Sequence, residues 1–311
     1  MPKVSVIIPV YGVEKYIERC ARSLFEQTLD DIEYLFIDDC TPDNSIGVLK
    51  SVLEKYPHRK SQVIIHRMEK NSGQAAVREW GMRNATGEYL IHCDSDDWVD
   101  TDMYKNMYEY ATINNSDIIL TDYFIDKENN SVCNLGLVSN KNSIISNFIL
   151  RKNKCSLCNK LFRTSLFNNN FIYPKGDMGE DMAIVLQIIL YANKIDYINK
   201  AFYHYCINEN SITQASEPQK VYKRFCQLKS NVELIAVSYK KHQLYETYSK
   251  EFISLKYHAK QALEPLINNK EMFQEWKNTF SDINKSILFC PYIKIKSKII
   301  YIIKFIFNFF R

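Results

Sequence analysis

Three acidic clusters contain the side chains of this sequence whose types and spacing could do chemistry. They are Asp38-Asp39, Asp94-Ser95-Asp96-Asp97 and Glu180-Asp181. The middle cluster places three carboxylates within four residues directly after a strand-like run, and their mutual repulsion calls for a cation or for hydrogen-bond donors. Carboxylate oxygens suit Mg²⁺ or Mn²⁺, which typically take one or two protein carboxylates together with substrate phosphates. The middle cluster therefore predicts a divalent-metal site for a phosphate-bearing ligand.

The sequence lacks the glycine-rich loops that bind phosphates through backbone N–H groups. Neither G-x-G-x-x-G nor G-x-x-x-x-G-K-[S/T] is present, and the whole chain contains 8 glycines. A phosphate held by a metal ion is therefore the better fit. In an extended segment, Asp94 and Asp96 would point to the same side, so that one could hold the metal while the other reaches a neighbouring group.

Strand-like and helix-like stretches alternate over the first 125 residues, and they must position these clusters. Short apolar and β-branched runs predict strands at 4–10, 33–37, 63–65, 89–91 and 117–121, with amphipathic helices between them. This alternation predicts an α/β fold with a mainly parallel sheet flanked by helices. Ligands bind such sheets beyond the carboxyl ends of the strands, which is where the first two clusters lie.

The pattern changes along the rest of the chain. An Asn-rich stretch at 126–142 predicts a loop or weak hairpin, and a strand is predicted at 195–205. Helical periodicity without any chemistry-bearing cluster then predicts a helical extension. We predict three parts with the boundaries 1–215, 216–289 and 290–311.

Several motifs in the first 215 residues resemble those of family 2 glycosyltransferases in order, spacing and strand context. The segments that carry the resemblance are Val4–Tyr11, Gln27-Thr28, Phe36–Ser45, Asn71-Ser72-Gly73, Arg78, Gly81, Gly87-Glu88-Tyr89, Asp94–Asp97, Asn159–Arg163, Gly179-Glu180-Asp181 and Asn210–Thr213. The resemblance implies a GT-A fold. It also implies an inverting transfer of one sugar from a UDP-sugar to a hydroxyl, assisted by Mn²⁺ or Mg²⁺.

The resemblance also implies roles for individual residues in binding the nucleotide. Pro9 and Tyr11 would line the base pocket, with Tyr11 stacking on uracil. Asp39 would accept the imide hydrogen of uracil, and Arg78 would lie near the nucleotide. Ser211 belongs to a later motif that would also contact the nucleotide-sugar.

Three further carboxylates complete the site that the resemblance implies. Asp94 would approach the ribose or the sugar, Asp96 would be the principal metal ligand and Asp181 would be the general base. A sugar hydroxyl is a poor nucleophile, so a carboxylate must accept its proton during the attack. Asp181 begins an amphipathic stretch, where a helix N-terminus would stabilise its charged form. The same position is also typical of an aspartate that only caps a helix.

Some positions depart from the family pattern. Cys40 stands where glycine is common, and Cys206 stands where an arginine often contacts the diphosphate. His204 or Lys160 could replace that arginine. The Q-x-x-R-W motif of processive members is absent, which favours the transfer of a single sugar.

The basic residues are concentrated in the last segment. Residues 290–311 hold five cations and no acid, and without those five the 40 basic residues fall to 35, against 36 acidic ones. The rest of the chain is therefore nearly neutral, which argues against nucleic-acid binding. As a helix, the segment would place Tyr301, Lys304 and other polar residues on one face and isoleucines on the other. It is too short to span a bilayer, so it predicts a helix lying on an anionic membrane surface with its cations toward the lipid headgroups. The alternative is a helix that packs on the protein or on a second subunit.

The nine cysteines and the N-terminus indicate the compartment. Nine cysteines cannot all pair, and the chain begins with a strand rather than with a signal-peptide pattern, so we expect a cytoplasmic protein on the inner face of the cell membrane. Cys155 and Cys158 form a C-x-x-C pair that we interpret as packing residues. The predicted acceptor is a glycan or a lipid-linked saccharide in surface polysaccharide biosynthesis. Two alternatives are a nucleotidyltransferase that makes sugar nucleotides and an inactive, membrane-tethered binding subunit.

Overall fold

The computed structural model describes residues 1–126, 131–133, 140–168, 170–207 and 217–307. They fall into two compact units whose segments alternate along the chain. The first unit comprises Met1–Lys141, Ser156–Tyr173 and Tyr191–Glu209. The second comprises Asn142–Cys155, Pro174–Leu190 and Asn210–Arg311. The predicted boundaries at residues 215 and 289 stay predictions.

The first unit is built on one mixed sheet. Its strands in the described residues are β1 (Val4–Val10), β2 (Ile32–Asp38), β3 (Val63–Arg67), β4 (Tyr89–His92), β5 (Trp98–Val99), β6 (Ile118–Asp126), β7 (Ser131–Cys133), β8 (Lys160–Arg163) and β9 (Ile195–Cys206). The strand order is β3-β2-β1-β4-β8-β6-β9-β5, and β7 pairs with β6. Strands β3, β2, β1 and β4 are parallel to one another, as the alternating pattern predicts. The sheet continues through antiparallel β8 and the parallel pair β6 and β9.

Helices cover both faces of the parallel strands. They are α1 (Ile17–Phe25), α2 (Ser45–Leu53), α3 (Gln74–Asn84) and α4 (Met103–Asn114). Val6 and Ile8 of β1 share a buried cluster with Ile17 and Leu24 of α1, because alternate strand residues point to the same face. The opposite face of β1 packs against α3, where Gly81 lies directly over Ile7. The α/β fold expected from the sequence is confirmed.

The second unit is helical. Its elements are α5 (Lys141–Ile149), α6 (Glu180–Tyr191), α7 (Pro218–Lys241), α8 (Ser249–Gln261), α9 (Lys270–Asn278) and α10 (Ile295–Phe307). A core around the fully buried Trp276 joins α7, α8 and α9 to residues 280–305. The helical extension predicted beyond the sheet is therefore confirmed. Within the described part of the chain, no helix combines the length and the apolar character needed to cross a bilayer.

Candidate active site

The acidic segment after β4 is a tight turn. The Asp97 N–H donates to the Asp94 carbonyl at 3.1 Å, and residues 95 and 96 form the turn between them. The turn is fixed against β1, because the Ser95 hydroxyl donates to the Pro9 carbonyl at 2.6 Å. The extended geometry predicted for Asp94 and Asp96 is therefore wrong. A hydrogen bond between residues three apart replaces the alternation of an extended strand.

Asp94 is paired with a buried arginine. The Arg78 side chain on α3 is 1% exposed, and its Nη2 donates to Asp94 Oδ1 at 2.8 Å. A charged guanidinium at this depth needs an anionic partner, since an uncompensated buried charge is costly. The pair therefore fixes the acidic turn to the middle of α3. The predicted position of Arg78 near the nucleotide stays a prediction, and one of the groups that Arg78 contacts in this structure is a carboxylate of the protein.

Asp39 holds the beginning of the same helix. Its Oδ1 accepts the Ser72 N–H at 2.7 Å, and its Oδ2 accepts the Gly73 N–H at 3.0 Å. Gly73 has φ +85°, a left-handed conformation that glycine adopts without strain, directly before α3. The Asp39 N–H also donates to the Val10 carbonyl at 3.1 Å, at the end of β1. Asp39 thus joins the ends of β1 and β2 to the N-terminus of α3.

These contacts form a closed connection at the carboxyl ends of the parallel strands. It runs from Pro9 through Ser95 and Asp94 to Arg78, and returns along α3 to Asp39 beside Val10. The structure therefore brings together four of the residues predicted for the site, which are Pro9, Asp39, Arg78 and Asp94. Asp96 belongs to the same turn. Tyr11 follows β1 directly and is 52% exposed, so its ring is accessible for stacking.

Asp97 is the buried member of the turn. Its carboxylate accepts the Cys206 N–H at 2.7 Å and the hydroxyl of Tyr203. Burial, together with the charges of Asp94 and Asp96, raises the pKa of Asp97 to about 9. Burial is the larger cause, and the neighbouring carboxylates Asp94 and Asp96 add to it.

The grouping of three carboxylates in this turn bears on the expected metal. No three His, Cys, Asp or Glu side chains of the described residues are arranged as a metal site. A magnesium or manganese ion needs only one or two protein carboxylates when substrate phosphates complete its ligands. The donor set of the turn fits such an ion, because carboxylate oxygens are the hard ligands that these ions prefer.

The two residues suggested as replacements for the missing arginine have structural partners. The His204 ring is stacked between Trp98 and Phe124, with centroid distances of 3.4 and 4.5 Å. Its Nε2 lies 2.9 Å from Asp100 Oδ1. Lys160 is fully buried, and its Nζ donates to the Ser156 carbonyl at 2.6 Å.

Arg19 is the cation that the sequence analysis missed. Its Nη2 donates to the Asp96 carbonyl at 3.1 Å and contacts Cys206 Sγ at 2.7 Å. The guanidinium thus lies beside the acidic turn, at the position where Cys206 replaces arginine. Arg19 lies on α1, 187 residues before Cys206, and no local pattern in the sequence links the two.

The remaining predicted residues are on other parts of the chain. Asp181 is a half-buried residue in the first turn of α6, which belongs to the second unit. The Gly179 carbonyl accepts the Ala183 N–H at 3.1 Å, so the helical hydrogen bonds begin beside Asp181. Its predicted role as base stays a prediction. Ser211 lies outside the described residues.

Comparison with known proteins decides the family. The model described as "Glycosyl transferase family 2" matches residues 5–170, which is more than half of the chain. The chain belongs to glycosyl transferase family 2. The resemblance inferred from the motifs is therefore confirmed, and the matched part of the chain is a glycosyltransferase domain.

One curated relative of this glycosyltransferase is the poly(ribitol-phosphate) beta-N-acetylglucosaminyltransferase TarP of Staphylococcus aureus. The two are 31% identical over 225 residues, which are 70% of this chain and 65% of TarP. The chain spans between 32% and 63% of the length of three other curated relatives.

Solved structures support the same fold. The S. aureus TarS 1-349 structure in complex with UDP matches with a TM-score of 0.64 and 22% identity, covering 92% of this chain and 81% of that one. A mannosyltransferase from Pyrobaculum calidifontis in complex with GDP-Man and Mn²⁺ matches with a TM-score of 0.55 and 15% identity. The match covers 97% of this chain and 85% of the mannosyltransferase chain. These likenesses confirm the GT-A fold of the glycosyltransferase.

Proposed function

We propose that this glycosyltransferase transfers one sugar from a UDP-sugar to a hydroxyl of a glycan or lipid-linked acceptor, with inversion at the anomeric carbon. The observation that carries the proposal is the closed connection of Pro9, Ser95, Asp94, Arg78 and Asp39 at the carboxyl ends of the parallel strands. Ligands of open α/β sheets bind at this edge. The UDP complex of TarS, a protein of the same fold, supports a uridine donor.

The nucleotide would lie over the ends of β1 and β2. Tyr11 would stack on the base, and Pro9 would line the same pocket. Both oxygens of Asp39 already accept a backbone N–H, but each keeps a second lone pair that could accept the imide hydrogen of uracil. These two bonds also fix the carboxylate before the nucleotide arrives. Ser211 would add a contact to the nucleotide-sugar.

A divalent ion, Mn²⁺ or Mg²⁺, would be held by Asp96 of the acidic turn and would supply positive charge to the departing diphosphate. Asp94, fixed by Arg78, would orient the ribose or the sugar. The position of Arg19 beside the Asp96 carbonyl supports a contact with the diphosphate. Arginine suits this task, because its planar group can donate two parallel hydrogen bonds to phosphate oxygens.

Asp181 would act as the general base. The acceptor hydroxyl must lose its proton as its oxygen attacks the anomeric carbon, and a carboxylate is a suitable acceptor for that proton. The first turn of α6 would keep Asp181 ionised, because the N–H groups of the helix N-terminus favour negative charge there. A single base and one displacement give inversion at the anomeric carbon.

The acceptor class is inferred from the relatives. TarP is named for the transfer of N-acetylglucosamine to poly(ribitol-phosphate), which supports a role in the synthesis of a cell-surface polymer. A lipid-linked acceptor would place the enzyme on the inner face of the cell membrane.

Release of UDP from a panel of donors tests the proposal. The purified chain would be incubated with Mn²⁺ and each of several UDP-sugars, with GDP-mannose as the control for the base. We expect metal-dependent release from at least one UDP-sugar and none from GDP-mannose. Release from GDP-mannose alone would contradict the uridine assignment.

A further inference from the structure

Helix α10 packs on the second unit through the face that carries its polar residues. Tyr301 is 4% exposed and lies against Trp276, with the two ring centroids 5.2 Å apart. Its hydroxyl donates to Asn284 Oδ1 at 2.9 Å. Lys304 on the same face pairs with Glu264 at 2.5 Å. Tyr301 and Lys304, which were predicted to face lipid headgroups, therefore contact the protein instead.

The opposite face of α10 exposes isoleucines. Ile295 is 75% exposed, Ile299 51% and Ile303 47%, and the same face carries Ile302 and Ile306. At 100° per residue, these five side chains fall within about 100° of arc. A row of exposed isoleucines of this length is uncommon on the surface of a soluble domain and marks an interaction site.

The charged residues next to this face in the sequence are positive. Lys285, Lys294 and Lys296 are exposed, and Asp282 is the last acidic residue of the sequence. Lys296 lies at the edge of the isoleucine face, about 60° from Ile299 around the helix axis. Exposed apolar side chains flanked by lysines complement an anionic lipid leaflet, whose acyl chains accept the isoleucines and whose headgroups attract the cations.

We propose that the face of Ile295, Ile299, Ile302, Ile303 and Ile306 inserts into an anionic lipid leaflet, with Lys294 and Lys296 at the headgroups. This rests on the proposed membrane location and adds the surface that meets the lipid, but it does not depend on the donor chemistry. Tyr301, Phe305 and Lys304 anchor the helix to the second unit. The isoleucine face is thus presented already ordered, which lowers the entropy cost of binding.

Co-sedimentation of the full chain with lipid vesicles tests the proposal. Vesicles of phosphatidylcholine mixed with phosphatidylglycerol would be compared with phosphatidylcholine alone. We expect strong binding to the anionic vesicles, weakened by added salt, and little binding to the neutral ones. Equal binding to both kinds of vesicle would contradict the role of the lysines.

Two sets of variants separate the apolar and the charged contributions. The combined substitution of Ile299→Gln, Ile303→Gln and Ile306→Gln should weaken vesicle binding by about tenfold or more. Lys294→Gln with Lys296→Gln should weaken it by about fivefold per lysine. The matched control is Ile113→Gln with Val237→Gln, which removes two exposed apolar side chains from α4 and α7 and should leave binding unchanged.

Two outcomes would overturn the proposal. One is vesicle binding by the triple isoleucine variant that equals the wild type. The other is a wild-type dimer in sedimentation velocity that the triple variant dissociates, with no vesicle binding, because the face would then contact a second copy of the chain. Donor hydrolysis in solution should be the same for the triple variant and the wild type, so failure of the donor proposal would be seen separately.

Discussion

The buried Arg78 guanidinium donates to the Asp94 carboxylate at 2.8 Å, and this pair connects α3 to the acidic turn. Arg78→Met would remove the buried cation that pairs with Asp94 and place an uncharged side chain among polar groups. We expect the free energy of unfolding to fall by about 3 kcal/mol, the range found when one partner of a buried ion pair is removed. Urea denaturation followed by circular dichroism measures this.

The exposed pair of Lys3 and Asp31 provides the control for this prediction. Their side chains are 42% and 62% exposed, and Lys3→Met should cost less than about 1 kcal/mol. Equal losses in the two variants would mean that the Arg78 pair contributes no more than a surface ion pair.

Gly81 should not tolerate a methyl group. A Cβ at this position would lie 3.1 Å from Ile7 Cγ1 and closer still to Cγ2, at the contact between α3 and β1. Overpacking of this kind costs about 1–3 kcal/mol, more than the roughly 1 kcal/mol that alanine gains over glycine inside a helix. We therefore expect Gly81→Ala to lower the melting temperature.

The same substitution in α2 is the matched control. The atoms nearest to a Cβ at Gly47 all belong to the side chain of Asn44, whose amide can rotate away. Gly47→Ala should keep or raise the melting temperature. A rise in both variants would show that the packing of α3 on β1 is looser than the structure indicates.

Lys260 should make stability depend on pH. Its side chain is buried, its Nζ donates to the Thr279 carbonyl at 2.7 Å, and burial lowers its pKa to about 8. In the unfolded chain the pKa returns to about 10.4, so above pH 8 the unfolded state binds more protons than the folded state. The free energy of unfolding must then rise with pH.

Comparison with Lys260→Met isolates this effect from other titrating groups. Between pH 8 and 9.5, wild-type stability should increase relative to the variant by on the order of 1 kcal/mol. Denaturation curves at both pH values measure the difference. A constant difference would mean that the folded-state pKa of Lys260 is not lowered.

Arg19 should contribute to donor binding. Arg19→Ala should raise the KM for the donor about tenfold, since a charge-assisted hydrogen bond contributes about 1.5–3 kcal/mol. Arg22→Ala on the same helix is the control, because Arg22 is exposed and pairs with Glu18. An unchanged KM in the Arg19 variant would remove this residue from the proposed site.

Much of the fold follows from local patterns in the sequence. Buried β-branched runs such as Val4–Val10 gave strands where they were expected, and the acidic cluster at Asp94 lies after a strand as predicted. Cys40 stands where the family commonly has glycine, and the structure gives a physical reason for that preference. Cys40 has φ +56°, in the region that favours glycine.

Contacts that are distant in sequence could not be predicted in the same way. The approach of Arg19 to Cys206 depends on how β9 returns beside β5, and the burial of Asp97 depends on Tyr203 from the same strand. Periodicity also assigned two faces to α10 correctly, but the core around Trp276 decides which face packs. When a helix carries aromatic residues on its polar face, its sequence alone does not determine which face packs on the protein, and tertiary contacts decide this.

The most direct test of the central claim measures UDP release from the UDP-sugar that the wild type hydrolyses fastest, for the wild type, Asp96→Asn and Asp181→Asn. Calorimetric titration measures the binding of UDP to the same three proteins. We predict that both variants lose activity at least a hundredfold, as expected for loss of a general base or a metal ligand (about 10²–10⁴-fold). UDP binding should remain in Asp181→Asn, while metal-dependent UDP binding should weaken in Asp96→Asn. Glu246→Gln, at an exposed acid of the second unit, should match the wild type. Wild-type rates of UDP release in Asp96→Asn or Asp181→Asn would contradict the account.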